Sequence, residues 1–302
     1  MDQAQLTIVI PVYNRATIVE RTLASVAAQT LRPLAVVLVD KNSTDDTLAV
    51  LRRWAEANSA PDFAVEVISE PRPGAANARN AGLARVTTPW TMFFDSDDIM
   101  LPDHCASALA TAAANPAAQI IGWDSMVNFA DGGKLRLLFT ERNLLFNNLF
   151  HGVMATQMYM ARTDLFRSAG GWNGQVCIYD DIELGVRLLN LRPIVAKRRC
   201  PICVQIYQQE DSISNADAGF QACEVGLNEI EHHLPLKRRH WADLQRIAKL
   251  AVWGRSLPDA RRIADEVLAK QPPVRRLLWR LYYSYAAHGG RGLNILVKLL
   301  SL

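Results

Sequence analysis

The feature that most restricts the fold is an alternation within the first 95 residues. "LTIVIPV" (6–12), "LAVVLVD" (34–40), "FAVEVIS" (63–69) and "WTMFFD" (90–95) are short runs rich in β-branched and aromatic side chains. Each is too short for a helix and ends at turn or polar residues, so each reads as a strand, the first two buried on both faces. Between them, residues 17–29, 46–57 and the segment from Ala75 space their apolar side chains for helices. "NSTDDT" offers Ser43, Thr44 and Asp45 as N-caps for the second of these. Strand and helix in strict succession predict an α/β fold, a mostly parallel sheet covered on both faces. Ligands gather beyond the carboxyl ends of the strands in such sheets. Pro11–Asn14, Asp40 and the acids of "DSDD" (95–98) all fall at those ends.

Further along, 103–114 reads as a helix and "AQIIGWDSMVNF" (118–129) as a strand, with "DGGK" as a tight turn after it. Residues 140–160 carry no single period. "RTDLFRSAGGW" predicts a short helix stopped at Gly170–Gly171, and 180–190 a helix with acids in its first turn. "PIVAKRRCPICVQIYQQ" predicts one or two strands. From about residue 217 the pattern is helical, broken at Pro235, Pro258 and Pro272–Pro273. The expected division is a catalytic domain over 1–215 and a helical, basic extension over 216–302.

Composition excludes several classes. The chain has 302 residues, half of them hydrophobic, which is globular rather than disordered. Its net charge is only +3, but from Pro235 onward fourteen Lys/Arg face four Asp/Glu, leaving −7 on the remainder. A basic tail predicts peripheral contact with an anionic membrane surface or lipid-linked phosphate, against a plain bundle with solvated arginines. Five cysteines, no basic leader before the first apolar run and no apolar stretch of spanning length predict reduced thiols and a cytoplasmic protein, peripheral at most to the inner membrane face. The Cys200–Cys203 pair lacks the second pair a zinc site needs. Neither GxGxxG after the first strand nor GxxxxGK[ST] occurs, which argues against a dehydrogenase or a P-loop enzyme. No aromatic-interleaved basic patch predicts a nucleic-acid partner.

Asp95, Asp97 and Asp98 stand three in four positions at the end of an apolar strand. Close carboxylates raise one another's pKa, and a hard divalent ion removes that penalty. Mn²⁺ or Mg²⁺ held by one or two acids of this cluster together with substrate phosphates is the expectation. A turn cap would need only one of the three.

"TIVIPVYNR", "VDKNSTDDT", "ARNAGLA" and "FFDSDD", followed by "GGWNG", "YDDIELGVRL" and "SIS", resemble in order and spacing the family 2 glycosyltransferases, over about residues 6–215. The resemblance implies the GT-A fold, Rossmann-like with a mixed, mostly parallel sheet. It also implies inverting transfer of a sugar from a nucleotide-diphosphate donor, a UDP-sugar, to an acceptor hydroxyl. The acceptor would be a glycan or lipid-linked molecule in surface polysaccharide or glycolipid synthesis. Pro11, Tyr13 and Asn14 would line the nucleotide pocket, and Asp40 would accept a hydrogen bond from the base. Arg79 and Asn80 would border the donor, and Asp95 and Asp97 would form the DxD, with Asp97 and Asp98 nearest the ribose and holding the metal on the diphosphate. Asp181 would be the general base, preceded by Asp180.

Inverting transfer needs an acidic cluster for the metal and a second carboxylate to take the acceptor's proton. Trp172 beside Gly170–Gly171 could stack on an acceptor sugar or simply fill the core. Three departures mark this chain. Lys41 replaces the second acid of "VDDGS", Asp180 replaces the usual Glu, and Gln209 stands where a His is common. Without that His, diphosphate charge would fall to the metal or to Arg198 and Arg199. A catalytically inactive nucleotide-sugar-binding protein and a metal-dependent nucleotidyltransferase are the alternative readings.

Overall fold

A computed structural model of the chain describes residues 3–199, 201–208, 219–253, 259–288 and 293–301. Cys200, Gln209, the "SIS" at 212–214 and Pro258 lie outside the described residues. The chain divides into two compact units, Met1–Asn215 and Ala216–Leu302.

Among its described residues the first unit holds eleven strands: β1 (Leu6–Val12), β2 (Leu34–Asp40), β3 (Phe63–Ser69), β4 (Trp90–Phe93), β5 (Ile99–Met100), β6 (Ile120–Gly122), β7 (Ser125–Asn128), β8 (Lys134–Leu137), β9 (Tyr159–Arg162), β10 (Val195–Lys197) and β11 (Val204–Tyr207). Its helices are α1 (Val19–Ala27), α2 (Thr47–Asn58), α3 (Ala75–Arg85), α4 (His104–Ala114), α5 (Leu144–His151), α6 (Thr163–Ser168) and α7 (Asp180–Asn190). A seven-stranded sheet runs β10-β6-β9-β4-β1-β2-β3, and a four-stranded sheet runs β5-β11-β7-β8. The large sheet is parallel except at β9, which runs antiparallel to both β4 and β6.

All seven residues of β1 are buried, which is why its sequence is continuously apolar. Alternate side chains serve opposite layers. Ile8, Ile10 and Val12 pack with Leu23 and Val26 of α1 and Cys105 and Ala108 of α4. Val9, with Val37 and Val39 of β2, packs with Ala78 and Leu83 of α3 and Leu184 of α7. On that second side α3 approaches closely. A Cβ at Gly82 would lie 2.3 Å from Val9 Cγ1 and 3.1 Å from Val39 Cγ2. Gly82→Ala gains about 1 kcal/mol of helix propensity, but overpacking against an immobile strand costs about 1–3 kcal/mol. A lower urea midpoint at unchanged m-value is the expected result; a higher midpoint would mean that α3 can retreat from the sheet.

The run 118–129 is not one strand. It contributes β6 to the large sheet and β7 to the small one, and the chain changes sheets at Trp123–Asp124. Trp123 is fully buried and donates its indole N–H to the Gln157 carbonyl at 2.8 Å. The Asp124 carboxylate accepts the Phe139 N–H at 2.9 Å and pairs with Lys197 at 2.6 Å. A carboxylate inside an apolar run was the only sign of the break.

At the start of α2, Asp45 accepts the Thr47 N–H at 3.0 Å, whereas the Ser43 hydroxyl accepts the Asn14 N–H at 3.0 Å. The second unit is helical: α8 (Gly219–His233), α9 (His240–Trp253), α10 (Ala260–Ala269), α11 (Pro273–Ala287) and α12 (Leu293–Leu300). Buried Arg246 of α9 gathers Glu224, Glu231 and Asp243 at 3.3, 2.8 and 2.9 Å. Among the described residues no helix is long and apolar enough to cross a membrane.

Candidate active site

The first side of the site is formed by the loops after β1 and β2. Asn14 adopts a left-handed φ of 48°, which asparagine tolerates better than most residues. Its side-chain carbonyl accepts the Thr44 N–H at 2.9 Å, so the two loops are tied together. Pro11 is buried within β1, whereas Tyr13 is 44% exposed. Lys41 Nζ lies 4.4 Å from the centre of the Tyr13 ring, an arrangement the sequence did not announce. Burial first, then Arg79 and Arg15, lower the Lys41 pKa. Asp40 is buried at the end of β2. Its Oδ2 accepts the Ser43 N–H at 3.2 Å, while Oδ1 is buried with no hydrogen-bond partner among the described residues. A buried carboxylate oxygen without a donor is costly, so this atom is an acceptor that a ligand N–H would satisfy.

The second side lies beyond β4. Arg79 of α3 reaches two acids at once, with Nη2 2.9 Å from Asp95 Oδ1 and Nη1 2.7 Å from Asp180 Oδ2. Its guanidinium lies 4.3 Å from the centre of the Trp172 ring. Gln157 Nε2 donates to Asp95 Oδ2 and to Asp98 Oδ2, each at 2.5 Å. Asp98 Oδ1 accepts the Tyr207 N–H of β11 at 2.8 Å. The result is one connected chain, Tyr207–Asp98–Gln157–Asp95–Arg79–Asp180. At its far end α7 begins after Tyr179, whose φ is 70°. Asp180 Oδ1 accepts the Asp181 N–H at 3.0 Å, and Asp181 Oδ1 accepts the Ile182 N–H at 2.7 Å.

Crowding raises several of these carboxyls. Burial, then Asp95, pushes Asp97 up to about 6. Burial and the same neighbours push Asp98 well above the usual range. Burial, then Asp180, pushes Asp181 up to about 7. Burial also raises Asp180, opposed by Arg79. Asp97 has the loosest charge partner of the group, Arg15 at 4.0 Å.

These contacts correct three expectations and extend a fourth. Asp98 is 1% exposed with both oxygens engaged, so it braces the cluster from beneath rather than facing a metal. Asn80 commits its amide to the Trp172 backbone, donating to the carbonyl at 2.7 Å and accepting the N–H at 2.8 Å. It therefore holds the Gly170–Gly171 turn, a use the sequence did not announce. Trp172 is buried edge-on to Phe93 and beneath Arg79, and offers no open face to a sugar. Arg198 is buried on His104 Nδ1 and Ser107 Oγ at 2.9 and 2.8 Å, and exposed Arg199 pairs with Glu141 at 3.1 Å. Gln157 escaped the sequence reading because it sits in the stretch without a period. A polar side chain inside "VMATQMYMAR" was its only signal.

Among the described residues no three His, Cys, Asp or Glu side chains form a ready cation cage. Asp97, 22% exposed, presents its carboxylate, and Asp95, 29% exposed, stays open to solvent although its oxygens also accept from Arg79 and Gln157. An ion that takes one or two protein carboxylates and completes its shell with phosphates and water fits that donor set.

The mixed sheet, with acids after β4 and at the start of α7, matches solved glycosyltransferases of the GT-A fold. S. aureus TarS 1–349 in complex with UDP-GlcNAc superposes with a TM-score of 0.67 at 17% identity, covering 97% of this chain and 90% of that one. Mannosyltransferase PcManGT from Pyrobaculum calidifontis, in complex with GDP-Man and Mn²⁺, gives 0.52 at 21% identity over 99% and 87% of the two chains. The family model of Glycosyl transferase family 2 matches residues 7–165, and the chain belongs to that family. The PGL/p-HBAD biosynthesis glycosyltransferase of Mycobacterium bovis is 27% identical over 224 residues, 71% of this chain and 81% of the relative. The succinoglycan biosynthesis protein ExoW of Rhizobium meliloti is 38% identical over 108 residues, 35% of this chain and 33% of the relative.

Proposed function

We propose that the protein is an inverting glycosyltransferase that moves a sugar from a UDP-sugar to a hydroxyl of a surface glycan or glycolipid. The observation that carries this reading is the Arg79 clamp, which joins Asp95 of the donor side to Asp180, the neighbour of Asp181. In inverting transfer one carboxylate removes the acceptor's proton while the diphosphate leaves from the opposite face of the sugar. Asp181, at the start of α7, has a pKa suited to taking that proton near neutral pH. The buried, partnerless Asp40 Oδ1 suits the N3–H of uracil. The solved complexes of TarS with UDP and UDP-GlcNAc and the biosynthetic relatives support a nucleotide-sugar donor. Asp97 with Asp95 would hold Mn²⁺ or Mg²⁺, which when bound neutralises charge on the leaving diphosphate. The stretch with Tyr13 and Lys41 would flank the nucleotide.

The test is a thermal-shift and calorimetric screen of UDP- and GDP-sugars with Mn²⁺, on wild type, Asp40→Ala and Asp97→Asn. A true donor at a hundred times its dissociation constant stabilises by about 2.7 kcal/mol. Asp40→Ala is expected to weaken a UDP-sugar about tenfold or more, since a buried charged hydrogen bond is lost. Asp97→Asn is expected to remove the metal-dependent part of donor binding. Full metal-dependent uptake by Asp97→Asn would sink the metal assignment, and GDP-sugars winning over UDP-sugars would sink the donor assignment. Release of pyrophosphate instead of UDP would mark a nucleotidyltransferase.

A further inference from the structure

Arg21 and Ser25 of α1 stand four residues apart and share one side of the helix, and Gln29 continues the row just past its end. Ser25 and Gln29 are buried. Polar side chains taken out of water need partners, and all three find theirs in the backbone of one segment, 97–105. Arg21 Nη2 donates to the Asp97 carbonyl. Ser25 Oγ accepts the Met100 N–H at 3.3 Å. Gln29 donates to the Leu101 carbonyl at 2.9 Å and accepts the Cys105 N–H at 3.0 Å. The row is a rail on which the end of the acid loop, β5 and the start of α4 are laid.

Arg21 is the end of the rail nearest the acids. Its grip is on the backbone, since among the described residues it pairs with no carboxylate. The guanidinium also lies 4.5 Å from the centre of the Tyr207 ring. Tyr207 is the residue whose N–H reaches Asp98 Oδ1 at 2.8 Å. One side chain therefore touches both the backbone that carries the Asp97 carboxylate and the residue that braces Asp98. Three carboxylates in four positions repel one another and tend to spread. A donor on the Asp97 carbonyl fixes the backbone from which that carboxylate projects. A group that takes a metal has to be held within about 0.5 Å of its working position.

We propose that Arg21 is a positioning residue of the site, which aims the Asp97 carboxylate at a divalent cation through the Asp97 carbonyl and the Tyr207 ring. The inference rests on the transferase reading for the cation, and it names what holds the cation's ligand in place.

The experiment is calorimetric titration of Mn²⁺ into the intact chain with UDP present, and of UDP with the metal chelated. Wild type is compared with Arg21→Met, Arg21→Lys and Gln29→Ala, and thermal midpoints are recorded beside each. Arg21→Met is expected to weaken Mn²⁺ about 10–100-fold, the usual cost of losing a group that orients a metal ligand. Uptake of UDP without metal is expected to move little. Arg21→Lys is expected to recover part of the loss, since an ammonium still donates to a carbonyl. Gln29→Ala removes buried hydrogen bonds at the far end of the rail, so it is expected to lower the thermal midpoint yet keep Mn²⁺ uptake. Wild-type Mn²⁺ affinity in Arg21→Met, or an equal loss in Gln29→Ala, would overturn the proposal and leave Arg21 as packing alone. A wild type whose UDP uptake gains nothing from Mn²⁺ would instead sink the metal assignment itself, and this inference with it.

Discussion

Asp181→Asn is expected to lower kcat about 10²–10⁴-fold, the usual worth of a general base, while donor binding is kept. Asparagine retains the side-chain carbonyl that accepts the Ile182 N–H, so the start of α7 need not move. What disappears is the group able to take a proton. The pH profile separates this from a folding defect. A base works only when deprotonated, and burial beside Asp180 has pushed the Asp181 carboxyl up to about 7. Wild-type activity should therefore rise as pH passes through neutrality and level off above it. That acidic limb should be missing from the residual rate of the variant. A wild-type rate flat across the neutral range, or a variant with unchanged kcat, would assign the proton to another residue.

Arg79→Ala is expected to have the largest effect on stability. The side chain is 7% exposed and bonded to two acids. Removing one partner from a buried ion pair costs about 3–5 kcal/mol, because the charge left behind is uncompensated. The pH dependence has a definite sign. Without the guanidinium, Asp180 loses the cation that opposes its burial, so its carboxyl, already raised above the unfolded value, is pushed further up. Stability from an acid raised in this way is present at low pH and lost as pH climbs through the folded value. The deficit in urea midpoint should thus be smallest in acid and largest at and above neutral pH. Arg79→Lys should recover only part of it, since one ammonium cannot grip two carboxylates as a planar fork does. A deficit under about 1 kcal/mol at neutral pH would show that Gln157 and solvent already stabilise the acids.

The legible part of this protein was local. β1 to β4 and the helices between them announced themselves by period, β1, β2 and β4 because nearly every residue of each is buried. The acids beyond β4 and before α7 were visible as clusters that few structural roles require. The illegible part was pairing across distance. Gln157 lies 62 residues from Asp95 and 59 from Asp98, and nothing in its neighbours foretells either contact. Asp98 looked equal to Asp97 until a backbone N–H from β11 met it. Trp172 and Asn80 carried familiar motif positions, yet the Asn80 amide serves the Trp172 backbone and the Trp172 ring serves Arg79. The switch of sheets at Trp123–Asp124 was hidden because an apolar run looks the same in one sheet or two.

The bond from the Tyr207 N–H to Asp98 has a consequence for how the enzyme comes into being. The family match ends at residue 165, whereas Asp181, the proposed base, and the last brace of the acids lie beyond it, out to residue 207. A chain emerging from the ribosome could set down its first four strands early but would leave Asp98 Oδ1 without its donor until β11 arrived. Catalytic competence would therefore be among the last things this chain acquires, and a fragment trimmed to the matched segment would keep the nucleotide loops while lacking the means to finish a transfer.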